Sequence, residues 1–244
     1  MLQLFAYFVM VPMVYLAFFI LIIGIIYKLA VVFRSPRIKG SLGLFPADMP
    51  VAAGVLKDAF FVPVAFRRDR VFWAFIVLFH AFFLFLFLGH LELVWDIRVL
   101  QIVPHRIFLG AGVIGITLLI ATLYFLFRRL GTPHREISVP EDFILLLILF
   151  LSIAFGSILH LAERFGIGAL QVPVGEYRSY FMSLLAFSPK LPVMVSHSPH
   201  YAVMVIHIFF SNLFIMLFPF SKMIHSVFAF FSFSIARKTS HGKE

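Results

Sequence analysis

Apolar and polar positions alternate along this chain in long blocks rather than single residues. Leu2–Phe33, Val71–Trp95, Ile107–Phe127, Phe143–Leu161 and Ala202–Ser232 are apolar runs separated by polar connections. Each is long enough, as a helix of roughly 20 residues or more, to cross a hydrocarbon core of about 30 Å. The pattern predicts an all-α integral membrane protein: five transmembrane helices in one membrane-embedded domain covering residues 1–244. The first run lacks the basic start, short core and small-residue cleavage site of a secretory signal, so it reads as a retained helix. Pro50–Phe66 is also apolar, but it holds Lys57, Asp58 and Pro63. It is expected to lie along the interface as an amphipathic segment, where it could dock a peripheral subunit, rather than to form a sixth span.

Composition sharpens the class. The chain is 62% hydrophobic and 13% charged, with 34 Phe, whereas a soluble domain would carry about 25% charged residues. It contains no cysteine. That excludes iron–sulfur ligation by its own thiolates, a C-x-x-C-H haem attachment and a thiol nucleophile. The net charge of +9 sits beside the apolar runs, where it sets topology and meets anionic head groups, so nucleic acid is not an expected partner. With five spans, 15 of the 20 Lys and Arg fall on one side and 5 on the other. The positive-inside rule therefore puts the N-terminus outside and the C-terminus in the cytoplasm.

Direction gives four histidines a meaning. The second run carries His80 and His90, and the fifth carries His207 and His225. An imidazole in hydrocarbon is costly and needs a partner. The two helices run antiparallel, which pairs His90 with His207 near the outer face and His80 with His225 near the inner face. Ten residues separate the first two histidines by roughly 15 Å of helix rise, and eighteen separate the second two by roughly 27 Å. Eighteen residues make five full turns, so His207 and His225 would share a face of a continuous helix, which Pro219 could bend. Matched pairs of imidazoles suit two b-type haems stacked across the bilayer, each with both axial positions filled, as electron transfer favours. Copper or zinc would want a Met, Cys or carboxylate in the set. Gly89 gives a flat macrocycle room beside His90, and Ser211 shares a helix face with His207. Gly110, Gly112 and Gly115 open the third run to a close neighbour, more simply a helix than a ligand. The competing reading is a haem-free transporter or scaffold with a histidine proton relay. It would place acidic residues at mid-membrane, and Glu92 and Glu163 both sit toward the outer end.

The motif Phe79-His80…Gly89-His90, with His207…His225 and Pro219-Phe220-Ser221-Lys222 before the last histidine, resembles the gamma subunit of respiratory nitrate reductase. It looks still more like the related M subunit of the Dsr membrane complex of sulfur-metabolising prokaryotes. The resemblance implies a dihaem cytochrome b with a quinol site beside the outer haem. There Arg106, before the third helix, would occupy the place of a basic residue that contributes in the nitrate reductase relative. The short tail after His225 departs from that relative and favours the sulfur pathway. Menaquinol or ubiquinol would be oxidised near the outer face, and electrons would leave to a cytoplasmic iron–sulfur subunit, with further membrane subunits as companions. His105, Arg106, His160 and Glu163 are the quinone-site candidates, because quinol oxidation needs hydrogen-bonding groups and a proton route. His197 and His200 fall on the same outer side.

Overall fold

The computed structural model describes residues 2–35, 50–94, 112–170, 173–193, 195 and 201–240. Every regular element among them is helical. They are α1 (Leu2–Met10), α2 (Pro12–Arg34), α3 (Val51–Phe61), α4 (Pro63–Arg68), α5 (Arg70–Leu91) and α6 (Val113–Leu130). There follow α7 (His134–Ile137), α8 (Pro140–Phe165), α9 (Val174–Leu185), α10 (Tyr201–Leu217) and α11 (His225–Ser240), with short 3-10 turns between. Among the described residues, five stretches are long and apolar enough to cross a bilayer: Gln3–Arg34, Arg70–Leu91, Val113–Leu130, Pro140–Phe165 and Tyr201–Phe220. The protein is therefore a multi-pass membrane protein. Leu4 and Phe33 are 74% and 76% exposed, as lipid-facing side chains are.

Several ends move from where hydropathy alone placed them. The second run stops as a helix at Leu91 and passes into turns at 92–94. The third starts at Val113, behind Gly112 in the left-handed region (φ 68°). The fourth lengthens in both directions. Pro140 opens it, the Asp142 carboxylate accepts the Val139 N–H (3.3 Å), and Gly166 (φ 67°) closes it, the signals that start and stop helices. The largest difference is in the fifth run. It is helical only to Leu217, then turns through Phe218–Phe220 and Lys222–Ile224, and a separate helix begins at His225. Pro219 has no N–H to donate and disfavours helical geometry in the residue before it. Five uninterrupted turns from His207 to His225 do not exist, and the shared-face argument built on them fails.

The fold comprises two compact units, Met1–Leu21 with Leu78–Leu217, and Ile22–Val77 with Phe218–Glu244. In the first, α8 is the hub, packed against α6 and α10. In lipid, helix association rests on close packing and hydrogen bonds rather than on hydrophobic burial, and both are present. A Cβ at Gly115 would lie 2.3 Å from Ser157 Oγ, and one at Gly112 2.9 Å from Leu161. Those glycines therefore serve helix packing; Gly110 lies outside the described residues. Arg129 and Asp142 pair at 3.0 Å where α6 and α8 approach. At Val11 the first span breaks because Pro12 cannot donate to the preceding turn. Nearby carbonyls find side-chain donors: Asn212 Nδ2 on Val9 O at 3.0 Å, and the Tyr180 hydroxyl on Met10 O. Tyr15 answers with its own hydroxyl on Leu184 O at 2.8 Å. These bonds join α1, α2, α9 and α10 into one frame.

In the second unit α3 packs on α11. At 11 residues α3 spans about 16 Å, too little to cross a bilayer, and Val62 (φ 39°) breaks the chain between it and α4. Gly54 lies under the Arg237 guanidinium, with Asp58 one turn along the same face. The Asp58 carboxylate accepts both Arg237 Nη2 at 2.7 Å and Nε at 2.9 Å. Trp73 Nε1–H donates to Phe61 O at 2.6 Å, which satisfies a carbonyl left free where α3 ends.

Candidate metal centre

His90 lies in the last turn of α5 and His207 in the second turn of α10. Their ring centroids are 6.4 Å apart with planes inclined at 38°. Each Nδ1 faces a backbone carbonyl: Leu86 O at 2.8 Å for His90 and Ser152 O at 2.9 Å for His207. A carbonyl only accepts, so the proton of each neutral imidazole belongs on Nδ1. That leaves the Nε2 lone pair of both rings available to a metal, the usual arrangement of a ligating histidine.

The two histidines are oriented differently. His207 takes its carbonyl from a neighbouring helix, α8, and α8 also shapes the floor beneath it. A Cβ on Gly156 would stand 2.8 Å from His207 Cε1 and 3.0 Å from Nδ1. Ser152, Gly156 and His160 recur at four-residue intervals and so form one stripe on α8. Ser152 Oγ and Ser211 Oγ are 2.7 Å apart, tying α8 to α10 one turn beyond His207. His160, at the end of the stripe, lies within electrostatic range of both His90 and His207. His90, by contrast, takes its carbonyl from its own helix, so its direction follows that helix.

Two facing imidazoles are too few for a bare ion but suit iron in a macrocycle that brings four donors of its own. His90 and His207, with ring centroids 6.4 Å apart, would supply the two protein nitrogens that hold such a group. The donor chemistry, the carbonyl-fixed tautomers and the glycine beside His207 all fit a b-type haem.

His80 and His225 belong to different units. On α5, His80 meets the Phe79 ring edge-on at 5.6 Å. His225 opens α11, with its Nδ1 2.7 Å from Lys222 O. That carbonyl again assigns the proton to Nδ1 of a neutral ring.

Of the quinone-site candidates, His160 and Glu163 lie near the end of α8, one turn apart. His105 and Arg106, like His197 and His200, fall outside the described residues. Glu163 is close enough to Tyr177 of α9 to interact with it, as is Glu176. Burial, reinforced by these two carboxylates, pushes the Tyr177 phenol up to about 12. The hydroxyl is thus a donor throughout the neutral range. Gly156 and Ser152 were not among the residues singled out from the sequence. Their only sequence signal is their spacing with His160, which reads as ordinary packing until His207 is placed against it.

A family model described as the nitrate reductase gamma subunit matches residues 65–240, a stretch containing His80, His90, His207 and His225. No curated protein matches the chain.

Proposed function

The chain belongs to the nitrate reductase gamma subunit family, and from that premise we propose a dihaem cytochrome b that links the quinone pool to a cytoplasmic iron–sulfur subunit. Family membership makes it a haem-binding membrane subunit of a multi-subunit redox complex. The observation that carries the finer reading is the His90–His207 pair, 6.4 Å apart with both Nδ1 atoms on carbonyls. His90 and His207 would hold an outer b haem, and His80 and His225 an inner one. When bound, such a haem supplies a one-electron centre with no open coordination site, which suits electron transfer rather than oxygen or substrate binding.

The residues of this chain supply the rest. Ser152 O and Leu86 O hold the protons that keep Nε2 of His207 and His90 basic. Gly156 leaves space for the His207 ring. At the end of α8, His160 and Glu163 would accept hydrogen bonds and protons from menaquinol or ubiquinol, and His105 and Arg106 remain the other quinone-site candidates from the sequence. The N-terminus lies outside and the C-terminus in the cytoplasm of a prokaryotic inner membrane, in keeping with the distribution of Lys and Arg. The likeness of the Phe79-His80…Gly89-His90 and Pro219-Phe220-Ser221-Lys222 motifs to the Dsr M subunit supports a place in dissimilatory sulfur metabolism. A histidine proton relay without haem is not favoured, because family membership brings haem with it.

The test is a reduced-minus-oxidised spectrum of the purified subunit with haem counted per chain. Two b-type haems are expected, falling to one in His207→Ala and to one in the double variant His80→Ala with His225→Ala. A wild-type chain without a b-type band, or variants that all keep two haems, would overturn the proposal. Isolation of the intact complex identifies the cytoplasmic partner and decides between the sulfur and nitrate settings.

A further inference from the structure

The outer imidazoles are held by unequal means. His207 is fixed from outside its own helix, through Ser152 O and the close approach of Gly156. His90 is fixed through Leu86 O of its own helix, so its position is only as definite as the end of α5. That end lies one residue beyond His90, at Leu91, and the chain then runs through turns. A helix terminus leaves carbonyls without intrahelical donors. Here Glu92 N still reaches Leu88 O at 3.1 Å, and Leu93 N reaches His90 O at 3.1 Å. Val94 N reaches Leu91 O at 3.0 Å, and Glu92 O, in the turn one residue past α5, accepts from Arg178 Nη2 at 3.0 Å.

Arg178 comes from α9, an amphipathic helix outside the five spans. Two further bonds fix α9 to the first span, Tyr180 to Met10 O and Tyr15 to Leu184 O. The first span is held in turn to α10 by Asn212 on Val9 O, and α10 carries His207. One hydrogen-bonded path therefore runs from the His207 helix through α1 and α9 to the residue two beyond His90.

We propose that Arg178 is a positioning residue for the outer haem: by holding Glu92 O in the turn just past α5 it fixes that end of the helix and so the place and plane of the His90 imidazole opposite His207. The inference rests on the haem reading above and adds to it a residue that touches neither the metal nor quinol. A charge-assisted bond at a helix terminus is well suited to the role, since it is stronger than a neutral one and a cation is favoured at a helix C-terminus.

The experiment uses the full chain in its complex, with Arg178→Ala and Arg178→Lys. The readout is the electron paramagnetic resonance signature and midpoint potential of each haem, since the low-field g-value of a bis-imidazole haem follows the angle between its ring planes. Arg178→Ala is expected to broaden and shift the outer-haem signal and to shift its potential, with the inner haem unchanged and two haems retained. Arg178→Lys, which keeps a cationic donor, should return both values toward wild type. A second readout needs no haem. The chain has no cysteine, so nitroxides on Leu91→Cys and Ala202→Cys report the α5–α10 spacing alone, and that distance distribution should widen in Arg178→Ala. Unchanged outer-haem spectra and spacing in Arg178→Ala would overturn the proposal. So would loss of all haem in both variants, which would mark Arg178 as a general folding residue. If the wild-type chain carried no b haem, the functional reading would fall, while the nitroxide distances would still decide whether Arg178 holds α5.

Discussion

Gly156 and His207 meet so closely that residue 156 has no room for a side chain: a Cβ there would lie 2.8 Å from Cε1 of the imidazole. Nδ1–H of the same ring donates to Ser152 O, from the same helix. The close glycine and the carbonyl together restrict where the imidazole can stand.

Gly156→Ala should therefore act on the haem rather than on the span. The added methyl drives the ring off its carbonyl, an overpacking cost of about 1–3 kcal/mol. Haem per chain is expected to fall toward one, with the remaining haem spectrally unaltered. Pyridine haemochrome quantification checks this.

The buried Asp58–Arg237 pair should be sensitive to loss of one partner only. Asp58→Ala leaves a guanidinium 3% exposed without its carboxylate, which in buried pairs costs about 3–5 kcal/mol. Replacing both residues with apolar side chains of similar volume should restore much of that. Gly54→Ala should also destabilise, because its Cβ would fall 2.2 Å from Arg237 Cζ. Thermal unfolding in detergent, scored by protease resistance of α11, measures all three.

Tyr177 gives a pH dependence with a definite sign. Its phenol is raised from 10.0 to about 12, by burial first and then by Glu163 and Glu176. The folded state thus holds the proton more tightly than the unfolded state. The stability this confers is fully present below about pH 10 and is lost as pH rises through about 12. Phenolate absorbance should show Tyr177 titrating after solvent-exposed tyrosines, and Tyr177→Phe should flatten the stability profile between those values.

Asn212→Leu removes the amide that serves Val9 O beside the Pro12 break. Hydrogen bonds between membrane helices average only about 0.6 kcal/mol, so a small loss is expected, a few degrees in the unfolding temperature. A collapse of the fold would contradict this weighting.

The five spans were legible in the chain because hydropathy is local: about 20 consecutive apolar residues suffice, whatever packs against them. The histidines were legible for the same reason, as polar groups in apolar runs; the sequence reading expected His90 beside His207, and their ring centroids lie 6.4 Å apart, while their role as a ligand pair is part of the proposal. Helix ends were read only approximately. Trp95 was included where α5 stops at Leu91, and the fifth run was carried through Pro219 to Ser232, although the proline ends the helix at Leu217. A proline inside an apolar run permits either a bend or a stop, and which occurs depends on what the freed segment finds to pack on. Here the segment after Ser221 becomes α11 and packs on α3.

Other features depend wholly on partners distant in sequence. Asp58 and Arg237 are 179 residues apart, and Arg178 and Glu92 are 86 apart. No local pattern in either segment announces its partner. Gly156 reads as one more small residue in an apolar helix until His207, 51 positions later, is laid against it. The sequence by itself determined which segments are apolar enough to enter the membrane and that His80, His90 and His207 lie in them, because the solvent selects those by composition; His225 was placed there too, but it opens a separate helix past the fifth span. The tertiary structure decided where each imidazole stands and what holds it, because hydrogen bonds and close contacts are made between helices and are written in neither helix alone.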